Sequence, residues 1–228
     1  MKPSVSIIMP ALNEASTIEQ TIRSARALDT LDRGVELIVV DAGSQDNTKF
    51  LAQALADHVL DAPRGRARQM NTGAAKATGD YLLFLHADTT LTTDAVAQLQ
   101  HALTQSPVWG RFDVHIEGQP FMLGIISFMM NLRSRLTGIA TGDQAMFVRR
   151  EVFEAIGGFK DQPLMEDIEL SKQLRRQASP ICLKGPISTS GRRWETNGVW
   201  PTIFLMWRLR WRYWRGESTE ELAKSYRR

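Results

Sequence analysis

An open α/β domain, a mostly parallel sheet with helices on both faces, is the fold this sequence predicts. Three observations predict it. Short runs that are apolar almost throughout recur in the first hundred residues: Val5 to Met9, Glu36 to Val40 and Tyr81 to Leu85. Segments of helical pattern separate them, which is the order of strand and crossover in a sheet buried on both sides. The 228 residues, 43% hydrophobic and 23% charged, suffice for one well-packed domain and exclude disorder as the main state. The single cysteine, Cys182, excludes a disulfide scaffold and a cysteine-rich zinc site.

Each element follows from local signals. Val5 to Met9, ended by Pro10, is the first strand, and Asn13 or Ser16 caps a helix over about 17–28. Glu36 to Val40 is a second strand, stopped by Asp41-Ala42-Gly43-Ser44; Asp46 or Asn47 opens a helix to about Ala56. Val59-Leu60 is a brief third strand, and Ala67 to Ala77 is helical. Gly79-Asp80 turns the chain into a fourth strand, Tyr81 to Leu85, before a helix from Thr93 or Asp94 to about Gln105. After Pro107 the pattern loosens. Trp109 to Ile116 reads as a strand, Phe121 to Arg135 as an apolar helix, and Ala145 to Val148 as a strand. Leu164 to Arg176 reads as a strong helix and Pro201 to Trp214 as a basic aromatic one. No repeat, low-complexity tract or long linker divides the chain.

Charge is uneven. Residues 1–171 hold 15 Lys and Arg against 21 Asp and Glu, whereas residues 172–228 hold 13 against 4. A basic surface of this kind suits an anionic partner: ligand phosphates, nucleic acid or an anionic membrane. No zinc-finger or RNA-recognition signature is present, which disfavours nucleic acid. A solvated arginine face is the plainer reading. No run of about 18 apolar residues could span a membrane. The N-terminal apolar run is too short for a signal peptide. The expectation is a cytoplasmic protein, with peripheral contact at the inner membrane face as an alternative. In Ile203 to Arg215, Arg208, Arg212 and Arg215 fall on one polar face with Trp207, Trp211 and Trp214 on an adjoining stripe. An interfacial helix has this pattern; so does a helix that packs its aromatics on the domain or on a second copy of the chain. The apolar segment Phe121 to Met130 suits the same surface.

In open parallel sheets, ligands bind outside the carboxyl ends of the strands. Two predicted strands end in aspartates, Asp41 and Asp88. Such carboxylates suit ribose hydroxyls, a base N–H or a divalent cation, or they cap the turns that follow. Alternation would place His86 and Asp88 on one side of the chain, both competent metal ligands. No G-x-G-x-x-G and no P-loop follows the first strand, so a dinucleotide fold is excluded. Arg64, Arg66 and Arg68 at a helix start offer a diphosphate site, or a solvated basic turn. Glu166-Asp167 opens a helix, where acids either favour the dipole or supply a general base. Arg192-Arg193-Trp194 can hold phosphate beneath an indole, or be an exposed arginine pair beside a core tryptophan.

Together and in this order, these motifs resemble glycosyltransferase family 2, the inverting transferases with a GT-A fold. The matching pieces are Pro10 to Glu14, Val39 to Asp46, Gly65 to Gly73, Gly79-Asp80, His86-Ala87-Asp88 in the D-x-D place, Glu166-Asp167 and Arg192-Arg193-Trp194. The narrower strings GRARQMNTGAAKATGD, LLFLHADT and NLRSRLTGIATGDQAMFVRR resemble a small bacterial subgroup labelled arsenosugar-biosynthesis glycosyltransferases. The resemblance implies a single GT-A domain, Rossmann-like, over 1–228. A nucleotide-binding half spans about 1–106, an acceptor half about 107–200, and basic aromatic helices about 200–228.

The resemblance also implies the site. Pro10, Ala11, Asn13, Glu14 and Asp41 hold the nucleotide, usually uracil. Arg66, with Arg68 beside it, faces the diphosphate. Asp88 binds ribose and a divalent metal, Mn2+ or Mg2+. His86 replaces the first Asp of D-x-D, so the site loses one hard oxygen ligand, which favours Mn2+. Asp167 is the general base with Glu166 beside it. Gly142 and Asp143 line the acceptor side, and Arg193 and Trp194 close over diphosphate or acceptor. The implied partners are a nucleotide-sugar donor, UDP-linked first, and a small-molecule or lipid-linked hydroxyl acceptor. Two rivals stand beside this. A sugar-nucleotide pyrophosphorylase requires a Gly-rich, basic loop after the first strand, which Pro10 to Glu14 is not. A non-catalytic nucleotide-sugar binder with a decayed site would explain His86.

Overall fold

The structure, a computed structural model, describes residues 4–30, 34–119 and 121–227. The first half runs β1 (Val5–Ala11), α1 (Ile18–Ala25), β2 (Val35–Asp41), α2 (Thr48–Gln53), β3 (His58–Asp61), α3 (Arg66–Lys76), β4 (Tyr81–Phe84), β5 (Thr89–Leu91) and α4 (Thr93–Thr104). The second runs β6 (Trp109–Glu117), α5 (Met122–Thr137), β7 (Met146–Arg149), α6 (Arg150–Ala155), α7 (Glu166–Gln177), β8 (Ile181–Ser190), α8 (Arg192–Asn197), α9 (Val199–Trp214) and α10 (Thr219–Arg227).

All eight strands join one sheet in the order β3-β2-β1-β4-β7-β6-β8-β5. β1 lies between β2 and β4, parallel to both, and β2 pairs in parallel with β3. The chain leaves β1 towards β2 and β3, then crosses back to β4 on the other side. That reversal is the switch point at which open α/β sheets bind ligands. Register sets Ala11 beside Asp41 and Ile8 beside Phe84, so three carboxyl ends meet at one edge. β7 runs antiparallel to β4 and β6, β8 parallel to β6, and β5 antiparallel to β8.

β1 is buried at every position, as the lack of alternation in its sequence requires. Ile7 and Met9 enter one core with Ile18 and Ile22 of α1 and Leu99 of α4. Ile8 enters the opposite core with Met70 and Ala74 of α3. Gly73 lets α3 approach the sheet: a Cβ there would stand 2.5 Å from Ile8 Cγ2. β1 continues two residues beyond its predicted end at Met9. β4 stops pairing at Ile8, so Pro10 has no ladder bond to lose on that side.

The predicted elements of the first half are all present, with shifts at their ends. α1 stops at Ala25 and tightens into a 3-10 turn, and α2 ends at Gln53 instead of about Ala56. The second half holds elements the pattern did not predict: α6, β8, α8 and α10, with β5 before them. β8 carries Gly185-Pro186 inside a strand. Register with β6 passes from Phe112–Leu183 to Val114–Ile187, so residues 184–186 bulge opposite Asp113 and absorb the proline.

Candidate functional site

The site begins at the β1/β2 ends. Asp41 is buried, and its Oδ1 accepts hydrogen bonds from the N–H groups of Gly43 and Ser44, both at 2.9 Å. Its Oδ2 is buried with no protein partner among the described residues. Asp41 therefore caps its turn and still presents an unmet acceptor, whose burial is costly until an N–H reaches it. Gln69 of α3 donates to the carbonyls of Ala11 at 3.0 Å and Val40 at 2.8 Å, locking the two strand ends together. The Ala11 carbonyl also accepts from the Ala42 N–H at 3.1 Å, so the structure already occupies it. Asn13 adopts a left-handed φ of 55°. Its N–H donates to Ser44 Oγ at 2.9 Å and its Oδ1 accepts from the Gln45 N–H at 2.8 Å, tying the loops after β1 and β2. The Glu14 carboxylate accepts from Arg192 at 2.9 Å.

Past β4 come the two expected metal ligands, His86 and Asp88. β4 stops at Phe84, so no strand remains to carry the alternation that would align His86 with Asp88. His86 is buried, with Nδ1 3.4 Å from Asp143 Oδ1. The Asp88 carboxylate lies 3.8 Å from Arg192 Nη2. Among the described residues no three His, Cys, Asp or Glu side chains gather where they could hold a metal ion.

The second cluster forms at the start of α7. Met165, at a φ of 66°, bends the chain into the helix, and Glu166 and Asp167 follow. Asp167 Oδ2 accepts from the Gly142 N–H at 2.8 Å and Oδ1 from the Ile168 N–H at 2.7 Å. A Cβ on Gly142 would stand 2.7 Å from His86 Nε2 and 3.9 Å from Asp167 Oδ2. The missing side chain is therefore what lets these groups close on one another. They line a small pocket with Met70, Phe84, Met146, Phe159 and Glu166.

Burial, and then the neighbouring Asp167 carboxylate, push Glu166 up to about 7, with Arg66 working against the rise. Burial pushes Asp167 upward too, opposed by the two N–H bonds and by Arg66. The pair thus shares a titration rather than ionising independently. Asp143 behaves oppositely. Burial raises it, but the His86 hydrogen bond and the charges of Arg66 and Arg193 hold it below the ordinary carboxylate range.

The arginines divide. Arg66, exposed at the cleft lip, stays firmly protonated: desolvation opposes its charge, and Tyr226, Glu166, Asp143 and Asp167 outweigh it. Arg68 pairs instead with Asp161 at 2.9 Å. One helical turn sends Arg192, Arg193 and Trp194 in three directions. Arg193 stacks on Tyr226, 3.8 Å from the ring centroid, and donates to the Tyr226 carbonyl. Trp194 is partly buried and packs on the main core.

Arg133 of α5 was missed. Its Nε and Nη2 are buried without partners among the described residues. Burial, together with Arg111, lowers its pKa against the pull of Asp167 and Asp143. Its helix read as plain apolar, and only the arginines inside NLRSRL could have signalled it. Gln69 was missed because glutamine carries no motif of its own.

Comparison with known proteins follows the same outline. The family model for glycosyl transferase family 2 matches residues 6–157. A probable glycosyltransferase, YdaM of Bacillus subtilis, is 28% identical over 95% of this chain and 56% of its own length. The uncharacterized glycosyltransferase Rv1514c of Mycobacterium tuberculosis is 34% identical over 80% of this chain and 72% of its own. The chain thus spans little more than half of the first of these relatives. Among solved structures, S. aureus TarS 1-349 superposes with a TM-score of 0.65 at 16% identity, over 82% of this chain and 60% of its own. The mannosyltransferase PcManGT of Pyrobaculum calidifontis, in complex with GDP-Man and Mn2+, gives 0.64 at 23% identity, over 92% and 61%. At these identities the likeness is one of fold.

Proposed function

The chain belongs to glycosyl transferase family 2, and on that footing we propose that it transfers a sugar from a nucleotide-diphosphate donor, UDP-linked by preference, to a hydroxyl acceptor with inversion. The observation that carries this reading is the Asp167 carboxylate. It is pinned by the Gly142 N–H in a small pocket at the end of the sheet where Asp41 offers an unmet acceptor. Asp41 Oδ2 receives a base N–H, as uracil supplies. Arg66 faces the diphosphate. Asp167 takes the acceptor's proton as its oxygen forms a bond to the anomeric carbon, while the bond to the departing diphosphate breaks. Two N–H bonds favour the ionised form of Asp167, while burial raises both it and Glu166, so the two carboxyls share a titration. His86 and Asp143 hold the acceptor side in register.

The residues present fit a divalent metal, Mn2+ or Mg2+, only as a shared ligand. Asp88 would hold it, and the diphosphate would supply further oxygens, since no protein-only cluster exists among the described residues. Bound there, it would supply positive charge against the leaving group. TarS has been crystallised with UDP-GlcNAc, and the mycobacterial glucosyl-3-phosphoglycerate synthase with Mn2+ and UDP; both support the donor class.

A thermal-shift panel of nucleoside diphosphates, each with Mn2+, Mg2+ or chelator, tests this reading. A ligand at about 100 times its Kd adds roughly 2.7 kcal/mol of stability. UDP is expected to stabilise the protein, more so with metal. No shift from any nucleoside diphosphate would overturn the reading.

A further inference from the structure

Of the twelve large hydrophobic side chains that the described residues leave exposed, eleven lie on two helices. α5 presents Phe121 from its N-cap, then Ile125, Phe128, Met129, Leu132 and Leu136. α9 presents Trp200, Phe204, Trp207, Trp211 and Trp214 at spacings of four, three, four and three, which is one continuous face. Exposure is large: 87% at Phe121, 67% at Trp207 and 79% at Trp214. The opposite faces are anchored. Leu123 and Ile126 of α5 lie in the main core, and Val199 and Ile203 of α9 pack against that same core, so both helices cover one side of the molecule. Leu209 and Tyr213 pack against α10 residues in a third cluster. The Trp stripe is thus not the core or cap of this domain.

We propose that this two-helix face docks on an anionic lipid bilayer, lying in the interface plane. Charge selects that occupant. Neither helix contains an Asp or Glu. Arg208 and Arg210 pair with no acid among the described residues, and Arg215 sits 5.4 Å over the Trp211 ring. Arg212, expected on the same polar face, turns inward to Glu217 and Ser225. Indole rings flanked by unpaired arginines match the headgroup boundary, where aromatics sit at the apolar edge and guanidinium groups meet lipid phosphate. A second copy of the chain is a poor occupant: a two-fold interface sets the same patch against itself, and arginines would meet arginines. No helix among the described residues is long and apolar enough to cross a membrane, so the contact is one of surface. This proposal does not depend on the chemistry assigned above.

Flotation of the full chain with phosphatidylcholine vesicles, with and without phosphatidylglycerol, tests it. The protein is expected to float with the phosphatidylglycerol vesicles at low salt, with a blue shift of tryptophan emission, and to release as salt rises. Trp207→Ser with Trp211→Ser removes binding while leaving the thermal unfolding transition in place. Arg208→Gln and Arg215→Gln each weaken binding by about fivefold. Phe50→Ser, at the one exposed large hydrophobic among the described residues outside the two helices, changes nothing. Failure to float with anionic vesicles at low salt would overturn the proposal. So would a stable dimer in sedimentation that Trp207→Ser dissociates.

Discussion

The two halves of the sheet build their shares of the cleft by different means. At the β1/β2 end, Asp41, Asn13 and Gln69 each hydrogen-bond to main-chain groups of the neighbouring strand end or loop. At the α7 end, the defining feature is charge under desolvation. Glu166 is pushed up to about 7, Asp167 is pushed upward beside it, and buried nitrogens of Arg133 and Arg193 lack partners among the described residues. The lesson is one of division. A backbone lattice fixes a shape, which suits the flat ring proposed there, whereas buried charge shifts titrations, which suits the proposed proton transfer.

Substitutions can break that division or sharpen it. The largest effect is expected from Asp167→Asn, which removes the proposed general base. UDP release from a UDP-sugar should fall by about 10²–10⁴-fold. An unchanged rate would reassign the base. Gly142→Ala comes next, because its Cβ would intrude to 2.7 Å from His86 Nε2. Displacement of the pocket should cost on the order of 10²-fold in rate, measured the same way, with UDP affinity kept. On the other side, Asp41→Asn sets a donor against a base N–H and should weaken UDP by roughly 10–100-fold in calorimetry.

Glu166→Gln reports on stability. In the unfolded chain Glu166 ionises at its ordinary 4.5, and in the folded chain at about 7. Between those values the native state holds the extra proton, so stability present below pH 4.5 is lost as pH rises through 7. The glutamine variant should escape that loss and gain on the order of 2–3 kcal/mol over the parent at pH 8, with no advantage at pH 4. Urea melts at the two pH values check it; equal stabilities at pH 8 would deny the buried charge. The smallest effect is expected at Arg68, whose exposed pair with Asp161 is worth about 0–1 kcal/mol. Arg68→Ala should change UDP affinity by less than about twofold, whereas Arg66→Ala should weaken it clearly.

The same division governs what could be read from residues alone. β1, β2 and β4 are buried on both faces, and uninterrupted apolar runs announce them wherever they occur. Their ends lead to Asp41, the last residue of β2, and to Asp88, four residues past β4. β8 could not be read, because its bulge around Gly185-Pro186 breaks the local pattern and is held from outside, by β6, β5 and the Thr92 and Gln98 side chains of α4. The alternation that would set His86 beside Asp88 has no strand to carry it, because β4 ends at Phe84. Arg133 and Tyr226 reach the site from helices distant in sequence, through packing that no spacing reveals.

The central claim, that donor binding and proton abstraction are separated between the halves, is tested most directly by titrating UDP into Asp41→Asn and Asp167→Asn side by side. The account predicts that Asp167→Asn binds UDP as the parent does and that Asp41→Asn binds at least about tenfold more weakly. Equal loss in both, or full affinity in Asp41→Asn, would contradict it.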